Sequence, residues 1–308
     1  MEPKVSVDWL RFRTQAEVRA GLEALRPMFG PTLGPLLSLE SLPRGKDGFE
    51  QACAVIAGGL AVGRVDFGGA AMRGWARWNV TGQGCGWVQD WNAVEAVESL
   101  PAAEIRRVDL ALTTWAGEVS IERVEAAHAS GGFTCGGRPP NMKAIDNSDP
   151  RKGRTRYVGQ RDSDKFFRGY EKGFEMAGGL GALGADMTHI DGHRLEDIFR
   201  CEVELKTESR PIPWEVIERR EQYFAGSYPF LAELLPEVEC DILLRRPERM
   251  PQLELRAFLA NCKRQYGSAL FTALTCYEGD IGRVFEQIVG DKHNADLLAA
   301  GVLMVAHD

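Results

Sequence analysis

Two stretches of this chain read alike, and together they restrict what it can fold into. VSVDWLRF (residues 5–12) and RRVDLALTT (106–114) both alternate apolar and polar residues, with Asp8 inside the first and Asp109 inside the second. Alternation with period 2 marks a strand with one face on a core. Each stretch is followed by a helical pattern, 15–25 after the first and 121–129 after the second. In the first half come strand-like runs at 49–56 and 60–67 around Gly58-Gly59, a strand at 73–80, and a helix over 91–99 capped by Asp90 and stopped by Pro101. In the second half come strands at 155–159, 166–171 and 199–206 and a helix over 213–224. Segments 27–43, 131–154 and 173–194 are rich in breakers and read as loops. The order strand, helix, hairpin, strand, helix thus occurs twice. It predicts an α+β fold of two ferredoxin-like or RRM-like antiparallel-sheet units in tandem, 1–101 and 102–226. From 227 to 308 the apolar residues fall at helical spacing (228–235, 251–276, 281–289, 295–305), which predicts a helical C-terminal extension.

Several function classes drop out early. No apolar run reaches the roughly 18 residues a membrane span needs; the nearest, 297–306, reads as the end of a packed helix. The N-terminus enters a strand at once, without a signal-peptide pattern. The seven cysteines are odd in number, scattered and without a CxxC, which predicts free thiols and a cytoplasmic setting rather than disulfides or zinc. His189 and His193 have helical ligand spacing but stand in the loop-like THIDGHR, so a histidine metal centre is not expected. Gly58-Gly59, Gly82-Gln83-Gly84 and the 178–184 cluster lack the lysine and serine of a P-loop and read as turns. An ATP-driven motor is therefore not expected.

The net charge is −7, yet residues 151–172 hold eight basic and three acidic side chains. A basic patch on an acidic protein points to a localised polyanion site, with a solvated hairpin as the plain alternative. Arg151, Lys152, Arg154, Arg156, Arg161, Ser163 and Lys165 are its DNA-binding candidates. The tryptophans Trp75, Trp78, Trp87 and Trp91 could stack on extruded bases, but at this density they read first as core.

Alternation also sorts the groups that could do chemistry. In RRVDLALTT, Arg107, Asp109 and Thr113 share one face; in RCEVELK (200–206), Glu202 and Glu204 do. Side by side, these strands gather three carboxylates. Such a group needs a cation, either Mg²⁺ or Mn²⁺ on oxygen ligands, or the side chains of Arg107, Arg168, Lys172 or Arg200 as ion-pair partners. In FFRGYEK (166–172), Phe166, Arg168, Tyr170 and Lys172 fall on one face, and the flanking cations are expected to push Tyr170 toward phenolate. A phenol attacking a phosphodiester conserves the bond energy in a reversible phosphotyrosine link, which suits nicking and rejoining.

The segments VDWL, RVDLALTTW, TRYVGQRDSDKFFRGYEKG and FRCEVELK, in this order and spacing, resemble the replication initiation factor family known as Rep_trans. The resemblance covers roughly residues 5–225. Its most specific part is YxGxRxSxxxxRxYEK, met by Tyr157, Gly159, Arg161, Ser163, Arg168, Tyr170, Glu171 and Lys172. It implies a rolling-circle replication initiator of a plasmid, phage or other mobile element, related to conjugative relaxases. Such an enzyme nicks and joins origin DNA, hairpin or single-stranded, and works with a host helicase and polymerase as monomer or dimer. Tyr170 becomes the nucleophile, with Arg168 and Lys172 beside it. Asp109 and Glu202 become metal ligands for Mg²⁺ or Mn²⁺, with Glu204 or Glu171 added. Relatives often carry an acid after the Arg-x-Asp strand, where this chain has Thr113 and Thr114. Tyr157 is the competing nucleophile. The reading from another class is a non-catalytic single-strand binder or repressor on RRM-like units.

Overall fold

The computed structural model describes residues 4–135, 138–180, 187–208, 211–240 and 251–293. The chain divides into two compact units at residue 244. The first is mixed α+β around one ten-stranded antiparallel sheet. Its strands are β1 (Val5–Thr14), β2 (Leu37–Leu42), β3 (Gln51–Ala57), β4 (Leu60–Phe67), β5 (Ala76–Val80), β6 (Glu104–Thr114), β7 (Met142–Asp146), β8 (Arg154–Val158), β9 (Lys165–Tyr170) and β12 (Phe199–Lys206). The short β10 (His189–Ile190) and β11 (His193–Arg194) pair separately as a hairpin.

β1 and β6 lie together at the centre of the sheet. Counting outward from them, one side runs β1, β5, β4, β3, β2 and the other β6, β12, β9, β8, β7. The sheet crosses the 101/102 junction without a break, because Leu10 pairs with Val108 and Trp9 with Asp109.

The alternation does what it predicts. Val5, Val7, Leu10 and Phe12 of β1, Val108, Leu110 and Leu112 of β6, and Cys201, Val203 and Leu205 of β12 are all buried in one core. Helix Ile121–Ala129 packs over β8 and β9 on that side, its first turn capped by Ser120, whose Oγ accepts from the Arg123 N–H. Phe133 gathers Phe167, Tyr228 and Phe230 around it. The opposite face carries Arg11, Arg107, Asp109, Arg168, Tyr170, Glu202 and Glu204, and the chemistry lies there.

Several expected elements differ. Residues 27–43 are not all loop: Leu37–Leu42 forms the edge strand β2. Met142–Asp146 inside the 131–154 loop is the other edge, β7. The stretch after Tyr170 is a helix, Lys172–Leu180, so Lys172 opens a helix instead of extending the strand. The helix expected over 91–99 is two short turns, Asn92–Val94 and Glu95–Glu98, and the one over 213–224 is reduced to Trp214–Val216 and Arg220–Ala225.

Beyond the junction the described residues form helices Pro251–Cys276 and Ile281–Ile288. Among the described residues no helix is long and apolar enough to cross a membrane. All seven cysteines are free. The helix expected over 295–305, the run 297–306 and the glycines at 181–184 lie outside the described residues.

Candidate active site

Tyr170 ends β9, beside Thr155 of β8 and Arg200 of β12. Gly173 lets the chain turn tightly after it: a Cβ there would lie 2.2 Å from the Leu195 carbonyl oxygen. The following helix rests Phe174 and Met176 on Leu195 and Ile198, which fixes the end of β9. At the strand's start, Gly159 turns with φ +94°, in the left-handed region that favours glycine.

The Tyr170 hydroxyl donates to Glu202 Oε1 at 2.7 Å. Arg168 donates from Nε to the other oxygen, Oε2, at 2.8 Å and also pairs with it through Nη2. Glu202 is almost wholly buried, at 3% exposure, and each of its oxygens has a partner in one of these two neighbours. Next to it, Asp109 pairs across the strands with Glu204. Arg107 bridges them, with Nε donating to Asp109 at 2.7 Å and Nη2 lying 3.2 Å from Glu204. Lys206 closes on Glu204 at 2.9 Å.

The sheet therefore gathers the three carboxylates on one face, as parity requires. It also answers them with cations. Among the described residues no cluster of three or more His, Cys, Asp or Glu side chains is arranged to hold a metal ion. The ion-pair alternative is what the side chains adopt, with Arg107, Arg168 and Lys206 as partners; Lys172 instead pairs with Glu175 and Arg200 with Asp8. The compensation is incomplete at Asp109. Burial pushes its carboxyl up to about 6, Arg107 opposes, and Glu204 and Glu202 add to the rise.

The electrostatics of Tyr170 reverse the sequence expectation. Burial raises its pKa well above that of a free phenol, and the Glu202 carboxylate raises it further by charge and hydrogen bond; Arg200 works the other way. Arg168 and Lys172 sit over the ring at 5.4 and 5.6 Å, but each already serves a carboxylate. The hydroxyl is a proton donor aimed at a fixed base, not a preformed phenolate.

The basic hairpin is divided by the same parity. Tyr157 faces the Tyr170 side, stacked on Phe166 at 5.3 Å, with Arg161 over both rings. Arg154 and Arg156 turn to the helix side, Arg154 to Glu171 and Glu122 and Arg156 to Glu125 and Asp146. Arg156 is 5% exposed. Lys165 is likewise turned away, donating to the Ser227 carbonyl at 2.6 Å over the Tyr228 ring. Ser163 is spent on the turn, bonding the Gln160 and Lys165 carbonyls. Arg151 and Lys152 are exposed at the turn before β8. Glu171, the other acid considered as a ligand, is tied to Arg154.

Two groups at the site, Asp8 and Arg200, are not among the catalytic or metal candidates that the sequence offers. A cleft of about 570 Å³ opens on Tyr170 and is lined also by Asp8, Arg200 and the Gly82-Gln83 backbone turn. Arg200 bridges Asp8, at 2.8 Å, and Thr113 Oγ1, at 2.9 Å. The signal was present: Arg200 shares parity with Glu202 and Glu204, and Val7-Asp8 matches Val108-Asp109.

Residues 103–241 match the family model for the replication initiation factor, Rep_trans. Over this segment the chain is similar to the Rep_trans replication initiation factors. The solved rolling circle replication initiator protein from Geobacillus stearothermophilus superposes with a TM-score of 0.53 at 20% identity, covering 76% of this chain and 95% of that one. At that identity the likeness speaks for the fold. It nevertheless extends beyond the segment that the family model matches. No curated protein sequence matches the chain.

Proposed function

We propose that this protein starts rolling-circle replication by nicking and rejoining origin DNA through Tyr170. The observation that carries the reading is the Tyr170–Glu202 hydrogen bond, 2.7 Å long, on the charged face of the sheet. Glu202 takes the phenolic proton as the Tyr170 oxygen attacks phosphorus. The P–O3′ bond breaks, the 5′ phosphate stays on the tyrosine, and the departing 3′ oxygen takes a proton from the Lys172 ammonium. Arg168 and Arg200 offset charge building on the phosphate. The 3′ hydroxyl then primes a host polymerase, while a host helicase opens the duplex. Reversal of the step rejoins the strand.

Arg161, with Arg151 and Lys152, holds the DNA backbone near Tyr170. Arg154, Arg156, Ser163 and Lys165 act one step back, by stiffening the hairpin. The family resemblance also implies Mg²⁺ or Mn²⁺, and the oxygen donors Asp109, Glu202 and Glu204 are of the right kind. As arranged, with Arg107, Arg168 and Lys206 on them, they do not fit an ion, and the chemistry above runs on the chain's own groups. The two halves read as paired copies of one unit, each counting first, last and then successively earlier strands from the centre.

The test is relaxation of a supercoiled plasmid carrying the element's origin, with Mg²⁺ or Mn²⁺ supplied. Wild type relaxes it and leaves a covalent protein–DNA adduct on a denaturing gel; Tyr170→Phe does neither. Equal nicking by both removes Tyr170 from the mechanism. Binding without nicking by wild type returns the protein to the class of single-strand binders and repressors.

A further inference from the structure

On the same charged face, at the far end of the central strands from Tyr170, lies a second cleft of about 450 Å³. Seven of its thirteen lining residues are basic and one, Glu208, is acidic. It is the counterpart of the Tyr170 cleft in the other half. There, Arg200 near the start of β12 meets Asp8 of β1 and the turn just past β5. Here, Arg77 near the start of β5 meets Arg106 and Arg107 of β6 and Thr207 just past β12. No tyrosine lines this cleft.

Most of its cations have acidic partners: Arg13 pairs with Glu104, Arg77 with Asp66 and Asp47, and Arg107 with Asp109 and Glu204. Arg11 does not. It is half-buried, opposite Arg107 across the strands, and its Nε donates to the neutral Asn79 Oδ1 at 2.6 Å. Among the described residues no carboxylate reaches it within ion-pair distance. Burial lowers its pKa and the neighbouring Arg107 and Arg77 charges lower it further, while the more distant Asp109 and Asp47 charges act the other way. Beside it are two aromatic–guanidinium layers, Arg13 over Trp75 at 4.0 Å and Arg77 over Phe49 at 5.1 Å. Nucleic-acid bases stack on both kinds of plane. The aromatic floor distinguishes the cleft from a flat basic surface for a duplex backbone. It calls for an unstacked base, hence a single strand.

We propose that this cleft is a second DNA subsite, in which Arg11 holds a phosphate of single-stranded DNA and the base beside it stacks on the Trp75–Arg13 layer. The two clefts are joined by the row Arg168–Glu202, Glu204–Asp109 and Arg107. Four strand spacings separate β9 from β5, roughly 19 Å at about 4.8 Å each. One strand lying on Tyr170 can thus be held at a second point across the sheet.

The experiment is fluorescence anisotropy of the full chain with a labelled oligothymidylate in EDTA across a salt series. Cleavage does not enter this readout, so failure of the nicking proposal and failure of this one are distinguished. Arg11→Gln should weaken binding about tenfold at low salt and make the log–log salt slope shallower by about 0.7, one phosphate's share on a single strand. Trp75→Ala should lose about tenfold with the slope unchanged, and Trp75→Phe should recover most of it. Melting temperatures matching wild type identify folded variants. Wild-type affinity and slope in folded Arg11→Gln and Trp75→Ala overturn the proposal. So does a loss in Trp75→Ala that Trp75→Phe does not recover.

Discussion

The Tyr170 hydroxyl and the Glu202 carboxylate are cross-strand neighbours whose oxygens meet at 2.7 Å, and Arg168 holds the carboxylate's other oxygen. This makes Glu202 an acceptor for the phenolic proton, with its orientation fixed by the guanidinium. General-base assistance contributes typically about 10²–10⁴ in rate. Glu202→Gln keeps the size of the side chain and removes the base, so nicking of origin plasmid should fall by roughly that range. Glu204→Gln, one residue pair further along β12 and out of reach of the hydroxyl, should cost much less. Equal losses would assign the acids a shared electrostatic role instead.

The pH profile separates a proton relay from a free phenolate. Tyr170 has its pKa raised by burial and then by Glu202. Nicking that needed a preformed phenolate would climb toward the ordinary phenol value of about 10. With the proton passed to Glu202 at the moment of attack, the rate should show no such climb between neutrality and about pH 10. A tenfold increase per pH unit across that range sinks the relay.

Asp109 makes a stability prediction with a definite sign. Its folded pKa, about 6, lies above its unfolded one. Its contribution to stability is therefore fully present below about pH 4 and is lost as pH rises through about 6. Asp109→Asn stays neutral throughout and should gain on wild type over that interval. The gap in pKa corresponds to at most about 3 kcal/mol. Thermal melting of both proteins between pH 4 and 8 checks it, and a constant difference in Tm rules it out.

The parity of three strands is legible in the sequence and carries most of the site. Asp109, Glu202, Glu204, Arg168 and Tyr170 share a face because side chains alternate; which of them stand opposite one another is set by the strand order and register, which alternation leaves open. The edge strands were not legible for a physical reason. Met142–Asp146 is paired on one side only and four of its five residues are exposed, so it carries no apolar alternation to read. Helix Lys172–Leu180 contains three glycines, Gly173, Gly178 and Gly179, which argue against helix locally. It forms because Phe174 and Met176 find Leu195 and Ile198, residues distant in sequence. Charge pairing was the hardest part. Arg154, Arg156, Arg161 and Lys165 look equivalent in the sequence; the facing of β8 and β9 turns Arg154, Arg156 and Lys165 to brace the hairpin, while the turn between the strands sets Arg161 over Tyr157 and Phe166.

Arg107 decides between a structural and a metal-binding role for the acids. Among the described residues it is the sole cation on Asp109 and one of two on Glu204. Removing one partner of a buried pair costs about 3–5 kcal/mol, and Arg107 is partly exposed, so Arg107→Gln should lose about 3. The two carboxylates would then face each other with only Lys206 to answer them. A divalent ion that binds the folded state alone raises stability by RT ln(1 + [L]/Kd), about 2.7 kcal/mol at a hundredfold excess over Kd. Mn²⁺ should therefore restore the Tm of Arg107→Gln while moving wild type far less, with the effect abolished in Arg107→Gln/Asp109→Asn. If Mn²⁺ stabilises wild type as strongly as the variant, the ion has a site that Arg107 does not block. If it stabilises neither, the carboxylates belong to the ion-pair network alone and the ion must be held elsewhere.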